Sequence, residues 1–106
     1  MVEVIWTKRA NRERIATLTY GAKEFGKNAA GKLNERIESY NVLLVENPRL
    51  GVLESLLVER RREYRSIVVH EHYKLIYYIK GKTLYIVDLW DTRREPAKLA
   101  KRIRGK

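Results

Sequence analysis

The chain has 106 residues, a length that predicts a single domain over residues 1–106, and it contains no cysteine. Disulfides, thiolate zinc sites and cysteine nucleophiles are therefore excluded. No apolar run approaches the roughly 20 residues that span a bilayer, and the opening MVEVIWTKRAN is too polar for a signal peptide. We therefore predict a cytoplasmic protein without membrane association.

The charge balance gives the first indication of function. Lysine and arginine number 23 against 13 acidic residues, so the net charge is +10. A small domain this basic is attracted to RNA, DNA, the ribosome or an acidic protein. The alternative is that the charge only keeps the protein soluble. Residues 93–106 carry seven basic residues and one acid, so the excess is concentrated at that end.

The first half of the chain predicts a strand followed by two helices. Alternation in residues 2–6 puts Val2, Val4 and Trp6 on one face of a strand. Thr7 suits the N-cap of a first helix that ends at Gly26. The apolar stripe of this helix is predicted to be Ile15, Leu18, Ala22 and Phe25. A second helix, capped by Asn28 and stopped by Asn47-Pro48, carries the stripe Ala30, Leu33, Ile37, Tyr40 and Leu44. So short a link predicts an antiparallel helical hairpin.

The second half of the chain predicts strands. Residues 52–58 are ambiguous between a strand and an irregular edge segment. Three strands follow, over Tyr64–Val69, Tyr73–Lys80 and Thr83–Trp90, and Pro96 opens a short final helix. The fold class is therefore α+β, a small antiparallel sheet packed against the helical hairpin in the order β-α-α-β-β-β plus the C-terminal helix. We expect the other sheet face and the tail to be left for function.

Cationic residues in and beside the strands are the candidate site. Arg65, Lys74 and the pair Arg93/Arg94 are predicted to converge on one concave sheet face, where guanidinium groups would grip phosphates. The alternative is that these are solvated edge charges, which suits the loop arginines Arg60 to Arg62 best. Asp91 is expected to pair with Arg93 or Arg94.

The two histidines lie two residues apart at a turn, at positions 70 and 72. They have no partner at metal spacing, so we predict no metal site and no cofactor. One of them is a candidate proton-transfer group because a histidine pKa lies near neutrality, although an ordinary turn residue is the alternative. The strand tyrosines and Trp90 are expected mostly in the core.

Four segments in order resemble the RelE/ParE superfamily of bacterial toxins. They are the opening VIWTKRANRERI, the helix ending LVENPRLG, the strand pair EYRSIVVHEHYKLIYYI and the close TLYIVDLWDTRREPAKL. The resemblance implies the fold described above, and it implies a cognate acidic antitoxin as the partner. RelE-like members cut messenger RNA in the ribosome, whereas ParE-like members inhibit DNA gyrase without known cleavage.

The nuclease pattern of the family transfers to a few positions. Arg65, Lys74 and Arg94 match cationic positions, and His72 is taken as the proton-transfer group, with His70 and Tyr78 as alternatives. Ile67 and Ala100 stand where RelE-like members have a lysine and a tyrosine. The residues predicted to bind RNA are Arg60, Arg61, Arg62, Arg93, Lys98 and Lys101.

Three functions follow from this resemblance. From sequence we favour the toxin of a type II toxin–antitoxin module that cleaves messenger RNA in the ribosome. The alternative is a ParE-like gyrase inhibitor without nuclease activity, favoured by the missing lysine and tyrosine. A third interpretation is a chain that is no longer toxic and serves only in a repressor complex.

Overall fold

The computed structural model describes residues 1–103. The predicted α+β class and the order β-α-α-β-β-β with a C-terminal helix are confirmed. The elements are β1 (Glu3–Trp6), α1 (Lys8–Phe25), α2 (Lys27–Glu46), β2 (Val52–Leu53), β3 (Arg65–His70), β4 (Tyr73–Lys80), β5 (Thr83–Asp91) and α3 (Pro96–Arg102). The ambiguous segment 52–58 contains the two-residue strand β2 and a 3-10 turn over Ser55–Leu57.

The five strands form one sheet in the order β1-β5-β4-β3-β2. Strands β2 to β5 are antiparallel to their neighbours, but β1 pairs parallel with β5, so the sheet is mixed rather than wholly antiparallel as predicted. The alternation of a four-residue strand is the same in either direction, so the sequence did not distinguish the two pairings.

The helical hairpin begins and turns at identifiable residues. The predicted N-cap is confirmed, because the Thr7 hydroxyl accepts the backbone N–H of Ala10 at 3.2 Å. Gly26 ends α1 and also caps α2, and its φ of 92° is accessible to glycine without strain. Asn28 therefore lies inside α2, and its predicted role as the cap is wrong.

The predicted apolar stripe of α1 is partly wrong. Ile15 and Phe25 are 65% and 69% exposed, while the buried residue of the helix is Ala10. Leu18 does pack against the core. Gly21 of α1 lies next to Ala30 of α2, since a Cβ on Gly21 would be 4.0 Å from the Ala30 Cβ. On α2 the stripe is confirmed, with Leu33, Ile37 and Leu44 buried.

Each face of the sheet carries its own core. The helical hairpin covers one face, which we call the helix face, over a cluster that includes Val69, Leu75, Tyr77, Leu84 and Ile86. The opposite face, which we call the tail face, is covered by α3 and the 3-10 turn over the cluster Leu57, Tyr64, Ile76, Trp90, Leu99 and Ile103. The expectation that this second face is left open is therefore wrong over its centre. The apolar side of α3 gains more from burial there than from contact with water.

Candidate functional site

Two of the predicted cations, Lys74 and Arg94, lie beside Trp90. Lys74 is directly opposite Trp90 in the β4–β5 register, so both side chains leave the same face of the sheet. The guanidinium carbon of Arg94 lies 5.0 Å from the centre of the Trp90 ring. A cation at this distance is attracted by the ring electrons. Lys74 and Arg94 are thus both neighbours of Trp90.

Lys74 is already paired with a buried carboxylate. Its Nζ donates to Oε1 of Glu54, which is 3% exposed, and the Leu56 N–H donates to the other oxygen at 3.0 Å. Burial acts to raise the pKa of Glu54, but these hydrogen bonds outweigh burial and hold its pKa below the usual value. The positive charge of Lys74 is therefore matched inside the protein. Sequence reasoning missed Glu54, although one acid among the apolar residues of VLESLLV was a signal.

Arg65 does not join these two cations. It lies opposite Tyr77, whose ring belongs to the core on the helix face, whereas Lys74 lies opposite Val68 on the tail face. The guanidinium of Arg65 donates to the Gly51 carbonyl at 2.8 Å and lies 3.2 Å from Glu63. The predicted convergence of three cations is therefore wrong for Arg65, because successive strand residues point to opposite faces.

The two histidines and Arg93 line one cavity at the end of the sheet. Both His70 and His72 line a cavity of about 390 Å³ together with small and apolar residues of α1 and α2. Nε2 of His72 lies 3.2 Å from a carboxylate oxygen of Glu71. His72, the candidate proton-transfer group, thus lies at the end of the sheet that is covered by α1 and α2. Within residues 1–103 no three metal-ligating side chains come together.

The loop arginines, predicted to bind RNA, have different roles. Arg60 donates to the carbonyls of Ala100 and Ile103 and so caps the C-terminal end of α3. The guanidinium of Arg62 lies 4.2 Å from the centre of the Tyr78 ring. Arg61 is exposed. Arg60 is therefore a structural residue of the second core, and its side chain is not free for a nucleic acid.

Further cations lie near the C-terminal end of the described chain. The predicted pairing of Asp91 is confirmed, because its two oxygens accept Nε and Nη2 of Arg93 at 3.0 Å each. The hydrogen bond from Arg93 lowers the pKa of Asp91. Lys98 and Lys101 are exposed on α3. These two lysines, with Arg61, remain open to solvent.

A buried ion pair ties α3 to the sheet. Asp88 is fully buried, and one of its oxygens accepts Nη2 of Arg102, which also lies 3.2 Å from Glu13 of α1. The other oxygen has no hydrogen-bond partner among residues 1–103. Burial raises the pKa of Asp88 to about 6, and the attraction of Arg102 offsets this only in part. Several charges of this basic chain thus hold the fold together.

Residues 4–96 match the family model described as ParE toxin of type II toxin–antitoxin system, parDE. No curated protein matches the chain in sequence. Among solved structures, the fold is similar to a chain of the chromosomal ParDE toxin–antitoxin system from P. aeruginosa, with a TM-score of 0.70 at 18% identity over 86% of this chain and 96% of that one. It is also similar to the YoeB dimer from Staphylococcus aureus, with a TM-score of 0.54 at 14% identity over 83% and 93%.

The fold and the family match together define a small toxin of the RelE/ParE superfamily. The chain belongs to the ParE toxin family of type II toxin–antitoxin systems. A cognate antitoxin is accordingly its partner. No helix within residues 1–103 is long and apolar enough to cross a membrane.

Proposed function

We propose that this chain is a ParE-like toxin that inhibits DNA gyrase by binding it and performs no RNA cleavage. The observation that carries the proposal is the separation of the predicted nuclease residues. Lys74 and Arg94 lie beside Trp90. Arg65 lies opposite Tyr77 on the other face of the sheet, and His72 lines a cavity with residues of both helices and Arg93. Cleavage of RNA requires a proton-transfer group within hydrogen-bond reach of the reacting atoms.

Two of the three cations of the predicted clamp are also paired with carboxylates. Glu54 neutralises Lys74, and Arg65 is held by the Gly51 carbonyl and by Glu63. A group that stabilises a phosphate in flight must direct its charge at that phosphate. Cations that are already paired with carboxylates of the same chain favour a toxin that binds a protein target over one that cleaves RNA. ParE-like members of the superfamily inhibit DNA gyrase without known RNA cleavage.

The test is a supercoiling assay with purified gyrase, relaxed plasmid and ATP. The full chain in molar excess is expected to block supercoiling, and the same chain preincubated with its antitoxin is expected not to. Heat-denatured chain is the control for nonspecific binding of a basic protein to DNA. Undiminished supercoiling at molar excess would contradict the proposal.

A messenger RNA endonuclease is the second candidate, and one observation favours it. Lys74 and Arg94 both lie beside Trp90, and two neighbouring cations are able to hold a phosphate between them.

Primer extension on cellular transcripts after induction tests this second candidate. A nuclease predicts new cleavage sites that disappear in the variant Lys74→Ala/Arg94→Ala. The matched control is Lys80→Ala, an exposed lysine at the far end of the same strand. Growth arrest with intact transcripts supports the gyrase proposal, and normal growth without any antitoxin would leave the repressor-only interpretation.

A further inference from the structure

The cavity that the two histidines line also reaches the turn end of the helical hairpin. Its volume is about 390 Å³, and its helical wall is mostly apolar, with Gly21, Phe25, Ala29, Ala30 and Leu33. A volume in this range holds a small organic molecule, and small-molecule sites combine apolar walls with a few polar groups. The proposed function does not use this space. We call it the hairpin cavity.

Aromatic rings border the hairpin cavity on two sides. Phe25 is 69% exposed, and its ring meets the ring of Tyr20 edge-on at a centroid distance of 6.3 Å. On the sheet side, the rings of His70 and Tyr73 have centroids 6.4 Å apart. An exposed phenylalanine gains free energy when another apolar group covers it, and aromatic rings pack against one another in preferred geometries. The cavity therefore favours a ligand with an aromatic ring over one with a flexible chain.

The sheet side of the hairpin cavity also offers hydrogen-bond donors. Asp91 accepts Nε and Nη2 of Arg93, whereas Nη1 makes no hydrogen bond within residues 1–103. The Tyr73 hydroxyl accepts from Nη2 at 3.5 Å and donates to no group in the same part of the chain. Burial raises the pKa of Tyr73, so the hydroxyl keeps its proton at neutral pH. Two side chains that line the cavity therefore retain donor capacity.

The nature of these donors selects the head group of a ligand. A carboxylate offers two acceptor oxygens in one plane, which suits a guanidinium and a hydroxyl. An ammonium head would be repelled by Arg93 and would find Asp91 already paired. A phosphate with two negative charges would need more positive charge than the Arg93–Asp91 pair supplies. A single carboxylate is therefore the head group that the site fits best.

We propose that the hairpin cavity binds a small aromatic carboxylic acid. The ring of the ligand packs between Phe25 and Ala29 of the hairpin. Its carboxylate accepts hydrogen bonds from Nη1 of Arg93 and from the hydroxyl of Tyr73. Binding of such a ligand to the folded chain alone stabilises the contact between the hairpin and the sheet. The proposal goes beyond the toxin's action and does not depend on its target.

The test is an NMR titration of the full chain with phenylpropionate. A Kd on the order of 0.1–1 mM is expected for a ligand of this size, with amide shifts in residues 17–33 and 70–73. Phenylpropanol lacks the charge and propionate lacks the ring, so each is expected to bind at least about tenfold more weakly. Octanoate represents a fatty acid as the source of the carboxylate. Equal affinities of octanoate and phenylpropionate would overturn the assignment of an aromatic ligand.

A variant that fills the hairpin cavity tests where the probe binds. Ala29→Trp places a large side chain at an exposed position of α2 that lines the cavity, so the affinity for phenylpropionate is expected to fall more than about tenfold. The matched control is Ser39→Trp, which adds the same side chain at an exposed position of α2 outside the cavity. The control is expected to bind as the wild type does. Equal affinities of the two variants would overturn the proposal.

A second variant tests the recognition of the carboxylate. Asp91→Asn/Arg93→Gln removes one charge of each sign, so the net charge of the chain is unchanged. The affinity for phenylpropionate is expected to fall about five- to tenfold because Nη1 is lost, whereas that for phenylpropanol is expected to stay the same. Wild-type affinity for phenylpropionate in this variant, or the absence of saturable shifts in the wild type, would overturn the proposal. Failure to inhibit gyrase would remove the proposed function only.

Discussion

The substitution Asp88→Asn tests whether burial or ion pairing dominates the pKa of the Asp88 carboxyl group beneath α3. Asparagine has nearly the same shape and keeps an oxygen that can accept Nη2 of Arg102. It removes the charge and the titration together. The other charged groups facing Asp88 are Glu13 and Arg9 of α1, and neither changes in the variant.

The expected magnitude follows from the pKa of Asp88, which burial raises from 3.8 to about 6. Between these values the folded chain holds a proton that the unfolded chain has released. The free energy of unfolding therefore falls as the pH rises through this interval. Each pH unit corresponds to about 1.4 kcal/mol, so the loss attributable to Asp88 is about 3 kcal/mol.

The assay is urea denaturation of the wild type and of Asp88→Asn, at pH values from below 4 to above 6 and constant ionic strength. Subtraction of the two curves removes the titration of all other groups. The stability of the wild type relative to the variant is expected to decrease by about 3 kcal/mol as the pH rises. A constant difference would show that Arg102 balances burial, and one that grows with pH would show that Arg102 outweighs it; either result would refute the reasoning.

Two further predictions concern the supports of β2 and α3. Tyr77→Phe removes the hydroxyl of a fully buried side chain that accepts the Gly51 N–H and donates to the Pro48 carbonyl, both at 2.8 Å. The free energy of unfolding, measured by urea denaturation, is expected to fall by about 2–4 kcal/mol. A fall below about 1 kcal/mol, on the order of one ordinary hydrogen bond, would mean that the loop carrying Pro48 and Gly51 relaxes to solvent. Arg60→Ala removes the hydrogen bonds to the C-terminal carbonyls of α3 and is expected to lower the melting temperature and to alter the fluorescence of Trp90. Arg61→Ala changes an exposed neighbour and is expected to alter neither. Equal effects of the two arginine variants would contradict the assigned cap.

Much of the fold could be predicted because local patterns govern it. The 3.6-residue period of α2 and the Thr7 cap each depend on neighbours in sequence. The stripe of α1 was partly wrong because the buried residue of this helix is the small Ala10, which a search for large apolar side chains overlooks. The parallel pairing of β1 likewise depends on a partner about 80 residues away.

The candidate site could be predicted only in part. Lys74 and Arg94 were found because a cation in or beside an apolar strand is unusual. Arg65 was assigned to the wrong side, since the relative register of two strands decides which cations meet. Glu54 and Asp88 were missed as partners because each is buried against a residue at least 14 positions away.

Composition and periodicity by themselves determined that this is a basic α+β chain with a helical hairpin and a strand meander, since charge and local hydrophobic period need no knowledge of distant contacts. Tertiary structure alone decided which charges face solvent. Burial makes a charge expensive unless an opposite charge or a carbonyl lies beside it, so the folded chain matched Lys74, Arg60 and Arg102 internally. Within residues 1–103, β2 pairs with only the first two residues of β3 and exposed valines lie beside them, which could be recognised only once the strands were paired.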